Sequence, residues 1–186
     1  MPKSWVWSNL GFLKSFSLYG PRFSSDDYAP TGISVLRTTD INDSGKVDLS
    51  STPKINLSAS DFEKYKVVKG DLLITRTGSL GTLAVFNDDI DAIPGAYLIQ
   101  YRLVMKALVD YSFLFLKSPN GIGALLKGGA GVGRPNINAP TIEAIPVPLP
   151  PLVEQAEIVA EVERRLTVLD ALSQTLTAEL KRAERL

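Results

Sequence analysis

The chain has 186 residues, 45% hydrophobic and 22% charged, with a formal net charge of zero and neither histidine nor cysteine. That size suits one domain plus an appendage with a buried core. The composition excludes disulfides, thiolate or imidazole zinc sites and the usual Ser–His or Cys–His catalytic sets, so no metal is expected. No run approaches the ~18 apolar residues of a membrane span, and the opening Met1–Trp7 lacks the apolar core of a signal peptide. The expected compartment is the cytoplasm.

In chain order, Trp5–Phe16 mixes aromatic and aliphatic residues and predicts an opening strand. Ser17–Thr31 is rich in turn residues (Gly20-Pro21, Asp26-Asp27, Pro30) and reads as a surface loop. Ile33–Leu36 predicts a short strand and Lys46–Leu49 a returning one across the Asp43-Ser44-Gly45 turn. Asp40–Asp48 has the early spacing of a calcium loop, but Ser51 stands where the bidentate Glu belongs, so a hairpin connection is expected. Ser58 is placed to cap a brief helix. Val67–Thr77 and Gly81–Phe86 read as paired strands, followed by strands at Ala96–Ile99 and Tyr101–Val104. Short helices are predicted over Asp110–Lys117 and Gly123–Lys127.

Gly128–Asn138 reads as a flexible polar loop. Its glycine spacing resembles a phosphate cradle, but Arg134-Pro135 stands where Lys and Ser/Thr are required. Arg134, Asn136 and Asn138 carry the side chains suited to guanine and adenine edges, and an ordinary Asn-rich turn accounts for them equally well. Thr75–Ser79 follows a buried strand directly, which puts Arg76 and Thr77 at a strand end. With Lys14, Arg22 and Arg37 they can form one face for phosphates and bases.

Pro146–Pro151 stiffens the chain into an extended, proline-rich linker. From Leu152 a heptad runs with Leu152, Val159, Leu166, Ser173 and Leu180 at a, and Gln155, Val162, Leu169, Leu176 and Ala183 at d. Seven of these ten are Leu or Val, a seam built to pair with another helix, made imperfect by Ser173. Residues 152–186 carry five Lys/Arg against seven Asp/Glu, net −2, leaving +2 for residues 1–151. The balance neither favours nor excludes nucleic acid. The elements predict an α+β chain: a globular mixed domain with a largely antiparallel sheet (1–145), the linker (146–151) and a long coiled-coil-type helix (152–186).

Several of these segments, taken in order, resemble the specificity (S) subunit of type I restriction-modification systems. They are Trp5–Gly11, Ile33–Ile41, Val68–Gly78, Gly133–Asn138 and above all Ile145–Val159, which is similar to that family's proline-rich entry to its spacer helix. The resemblance implies one target-recognition domain and one spacer helix, in a subunit that binds double-stranded DNA and catalyses nothing. Partner modification (methyltransferase) subunits would bring S-adenosylmethionine and a restriction subunit ATP-driven cleavage, with no cofactor bound here. The helix would pack antiparallel on a second copy or second half of the S subunit. A full S subunit has two such domains and two helices, so a dimerising half or a fragment is expected, and the helix still running at Leu186 favours a fragment.

Expected DNA contacts are Lys14, Tyr19, Arg22, Arg37, Thr38, Arg76, Thr77, Arg134, Asn136 and Asn138. Arg76, Thr77 and Arg134 belong to family-wide motifs and are expected to hold phosphate or structure. Base readers are expected around Tyr19–Asp27 and Arg37–Asn42. Expected helix-pairing residues are Leu152, Val159, Val162, Leu166, Leu169, Leu176 and Leu180. Two other readings stay open: a protein-interaction module oligomerised by the helix, and a carboxylate enzyme, for which no convergent Asp/Glu pair is evident.

Overall fold

A computed structural model describes residues 2–129 and 135–183. The chain opens with β1 (Val6–Asn9), a one-turn α1 (Leu10–Leu13) capped by the Asn9 side chain, and β2 (Lys14–Tyr19). A 3-10 turn at Ser25–Asp27 leads to β3 (Tyr28–Ala29) and β4 (Ile33–Leu36), and a second at Thr38–Asp40 follows. Then come β5 (Lys54–Ile55), α2 (Ala59–Tyr65), β6 (Leu72–Thr75), β7 (Leu83–Val85), β8 (Ala92–Pro94) and β9 (Leu98–Leu103). The remainder is α3 (Val109–Lys117), α4 (Pro119–Gly128), α5 (Ala139–Glu143), β10 (Pro146–Leu149) and α6 (Leu152–Ala183).

The central sheet has the order β2-β9-β6-β7, antiparallel throughout. Its inner strands are buried on both faces. Leu72, Ile74, Leu83, Ile99 and Tyr101 point into a core shared with α3, α4 and α5. Leu73, Ala84 and Leu98 point the other way, against Leu36, Phe86 and Ala92. That second layer is the sheet β3-β5-β4-β8, in which β4 and β8 run parallel. The architecture is α+β, with helices on one face of the central sheet and a second sheet on the other.

Several local expectations change here. The two strands expected at 96–99 and 101–104 are one, β9, because Gln100 does not interrupt the run. Its side chain is fully buried, and its amide nitrogen donates to Asp71 Oδ2 at 2.6 Å and to the Lys66 carbonyl at 3.0 Å. The expected loop 17–31 continues β2 as far as Tyr19 and contains β3. Lys46–Leu49 makes a single bridge, Val47 to Ile41, rather than a strand. The hairpin turn itself is present, with Gly45 at φ +79°. Asp40 turns inward instead of facing a solvent loop. Ser58 does cap α2, its hydroxyl accepting from the Asp61 N–H at 3.1 Å.

The proline-rich segment 146–151, expected as a linker, supplies β10, which pairs antiparallel with β1. Pro146 and Pro148 lie two residues apart, so both missing N–H groups fall on one edge and the ladder keeps the donors of Val147 and Leu149. Val147 is fully buried, and the Tyr111 hydroxyl donates to the Pro148 carbonyl at 2.5 Å. The start of α6 is therefore anchored: Gln155 is buried with its amide on the Pro150 carbonyl, and the Trp5 indole donates to Glu154.

One close approach positions the end of β2. A Cβ on Gly20 would stand 2.1 Å from the Gly95 carbonyl oxygen and 2.3 Å from that of Pro94. Gly20→Ala is expected to force this backbone crossing apart and cost about 1–3 kcal/mol, as overpacking does. Chemical denaturation followed by circular dichroism measures it; a stability equal to wild type contradicts the crossing.

Candidate nucleic-acid interface

The register brings the end of β2, the end of β6 and the start of β9 to one edge of the central sheet, with Tyr19 opposite Ile99 and Thr75 opposite Leu98. Arg76 continues from β6, and its guanidinium lies 4.6 Å from the centroid of the Tyr19 ring. The Tyr19 hydroxyl accepts from the Ala139 N–H at 2.7 Å, which fixes the ring. Arg76 makes no ion pair among the described residues, so its charge is supported by a ring face rather than cancelled by a carboxylate.

Residues 76–78 and 135–137 form a short ladder. The Ile137 N–H donates to the Arg76 carbonyl at 2.8 Å, and the Gly78 N–H to the Pro135 carbonyl at 3.1 Å. Thr77 bridges Asn136, its hydroxyl donating to Asn136 Oδ1 at 2.9 Å. Buried Ile137 ties this ladder to the core. Asn138 is the N-cap of α5, its carbonyl oxygen accepting from the Thr141 N–H at 2.9 Å and hydroxyl at 2.7 Å. Its acceptor is committed to the helix. Arg134 lies outside the described residues.

Beside this ladder, segments 21–23, 37–39 and 95–98 enclose a cleft of about 440 Å³, with Tyr28 also in its wall. It contains Arg22, Arg37 and Thr38 together. Arg37 is held firmly: Nε lies 3.2 and 3.1 Å from the two Asp40 carboxylate oxygens, and Nη2 donates to Asp40 Oδ1 at 2.7 Å and to the Ser51 carbonyl at 2.9 Å. This hydrogen bonding to the Asp40 carboxylate raises the Arg37 pKa, so its positive charge is permanent. Arg22 is exposed and makes no ion pair or side-chain hydrogen bond among the described residues.

Tyr28 and Tyr97, both about two-fifths exposed, were not singled out from sequence, yet both line the cleft. The available signal was an aromatic residue in a polar, turn-rich stretch: Tyr97 directly follows the Pro94-Gly95-Ala96 break before β9. Lys14 does not join this group. It lies at the other end of β2, some 16 Å away at ~3.3 Å per residue, and is ion-paired with Glu143 on α5.

The helix-pairing residues also divide. Val159 packs with Ile158 onto the chain's own core, and Val162 is half-buried. Leu152 is 44% exposed near the domain. Past it, Leu166, Leu169, Leu172, Leu176 and Leu180 continue the same helical face into solvent, between 49% and 65% exposed. At ~1.5 Å per residue the 32-residue α6 is about 48 Å long, and a cleft between it and domain segments 44–47, 85–88 and 110–114 reaches as far as Asp170.

Residues 5–182 match the family described as the type I restriction modification DNA specificity domain. The chain is 30% identical over 170 residues to the type I restriction enzyme EcoBI specificity subunit of Escherichia coli, covering 90% of this chain and 35% of that one. It is 30% identical over 171 residues to the EcoKI specificity subunit of Escherichia coli strain K12, covering 88% and 36%. The chain thus spans about a third of the length of these curated relatives. The solved HsdS subunit from Thermoanaerobacter tengcongensis superposes with a TM-score of 0.68 over 94% of this chain and 40% of that one, at 20% identity, a likeness of fold. The sheet edge and its cleft, the proline-led entry to a long helix, and a match running from Trp5 to Arg182 place the chain in the type I restriction-modification DNA specificity family.

Proposed function

We propose that this chain is a sequence-specific reader of double-stranded DNA, a half or a piece of a type I specificity subunit, which catalyses nothing and directs methylation and cleavage by partner subunits. The observation that carries the reading is the convergence at one sheet edge. Tyr19, Arg22, Arg37, Thr38, Arg76 and Thr77 come from three separate segments and meet beside an open cleft. Uncompensated Arg76 serves the phosphate backbone, and the cleft between stretches 19–27 and 37–42 serves the bases. Lys14 and Asn138, already committed to Glu143 and to the cap of α5, support the fold rather than the DNA.

The division into a recognition domain, an entry segment and a spacer helix assigns α6 the task of holding this reader at a fixed distance from another. A second copy, or the second half of the same subunit, covers the leucine face antiparallel. Parallel pairing on that face would drive two domains into the same space, because each domain already occupies the proximal part of its own helix. Between two copies, antiparallel pairing centred near Ser173 sets Leu180 across from Leu166. Modification and restriction subunits complete the assembly in the cytoplasm, and a symmetric dimer reads an interrupted palindrome.

Methylome sequencing of the host with and without the gene tests this reading: loss of one methylated motif is expected, and an unchanged methylome rejects it. At the level of residues, Arg76→Ala is expected to weaken binding to every duplex by about tenfold. It should also lower the slope of log affinity against log salt by about one, the mark of a phosphate contact. Fluorescence anisotropy over a salt series measures both.

A further inference from the structure

We propose that the two arginines of the cleft divide the work of recognition: Arg22 reads a guanine, while Arg37 is a fixed contact that holds DNA without discriminating, positioned by Asp40. The proposal rests on the DNA-reading function above and follows from counting the donors each guanidinium has left. A guanidinium recognises the O6 and N7 of guanine with two parallel N–H groups on neighbouring nitrogens. In Arg37, Nε faces the Asp40 carboxylate, and both hydrogens of Nη2 are taken by Asp40 Oδ1 and the Ser51 carbonyl. Only Nη1 remains. Its two N–H groups can meet phosphate oxygens, but no two-nitrogen edge is left to match a base. The buried Asp40 carboxylate also offsets the charge at short range.

Arg22 is the converse case. With no partner among the described residues, both of its two-nitrogen edges are free. Its backbone is nonetheless pinned on either side. The preceding Gly20 N–H donates to the Leu98 carbonyl at 3.1 Å. The following Phe23 packs on the small core of Val35, Ile55 and Ile93. Pro21 restricts the backbone between them. The restrained backbone confines the order lost on binding to the rotamers of the Arg22 side chain itself. Tyr28 and Tyr97 add aromatic surface to the wall of the cleft that Arg22 lines.

The test uses the full chain purified from its host with its partners bound, incubated with a pool of randomised duplexes and sequenced after selection. Arg22→Ala is expected to bind DNA but to lose the preference for guanine at one position, with discrimination there falling about ten- to a hundredfold. Arg22→Lys, which keeps the charge but not the fork, should lose the same preference. Arg37→Ala alone would strand a buried carboxylate, so the informative variant combines Arg37→Ala with Asp40→Asn. It should select the wild-type motif with affinity lowered alike for every sequence. If both Arg22 variants select the wild-type motif, or if the Arg37/Asp40 variant changes a base, the division of labour is overturned. A wild-type chain that binds no duplex and enriches no sequence overturns the DNA-reading function, and this proposal with it.

Discussion

Asp71→Ala is expected to destabilise the domain by about 3–5 kcal/mol, the cost of removing one partner from a buried ionic network. Asp71 is fully buried at the turn before β6 and receives donors from three directions. The Val68 N–H donates at 2.8 Å, the Gln100 amide at 2.6 Å, and Arg102 Nε and Nη2 both at 2.8 Å. The guanidinium in turn lies over the Phe16 ring at 5.5 Å, so one carboxylate links the turn, the middle of β9 and β2. Without it the Val68 N–H has no acceptor, and Gln100 keeps only the Lys66 carbonyl. At ~2–4 °C per kcal/mol for a chain of this size, the melting temperature should fall by roughly 10 °C. Arg102→Met should cost nearly as much by leaving the carboxylate unpaired, and the double variant Asp71→Ala/Arg102→Met less than the sum. Thermal denaturation of the four proteins measures this; additive losses would show that the groups act independently.

Leu169→Glu combined with Leu176→Glu is expected to abolish association through α6 while leaving the domain as stable as before. Both leucines are about 60% exposed and lie on the face that continues from Ile158 and Val159. Burying each against a second helix contributes about 1.5–3 kcal/mol, so losing both should weaken association by more than about a hundredfold. Sedimentation equilibrium on the chain and its variant compares their masses, and thermal denaturation checks the domain. Equal masses for both would show that the leucine face does not pair copies of this chain. A fall in melting temperature would show that the distal half supports its own domain. Glu161, which Arg164 and Arg165 hold ionised down to about 2, lies on the outer side of the helix and should not respond to the change.

The periodic and local features were legible in the sequence. The β6 run, the helix beginning at Leu152, the Ser58 cap and the order of segments that marks the family all follow from near neighbours along the chain. Local sequence carries the hydrophobic period, the missing N–H of proline and the short reach of a capping hydroxyl. What it does not carry is the partner of a polar side chain. Gln100 looks like a break in a strand until Asp71, 29 residues earlier, is found to accept its amide. Arg22 and Arg37 look alike until folding commits one of them to Asp40 and the Ser51 carbonyl and leaves the other without a partner among the described residues. Lys14 looked like a further basic contact, but the length of β2 carries it to the far edge and Glu143 takes its charge. In α6 the heptad describes one continuous seam, whereas the domain takes Gln155, Ile158 and Val159 from it and leaves Leu169, Leu176 and Leu180 exposed. The sequence by itself thus determined the β6 strand, the long terminal helix and the family. The tertiary structure decided which charges are cancelled, because burial and long-range pairing set the free energy of each polar group.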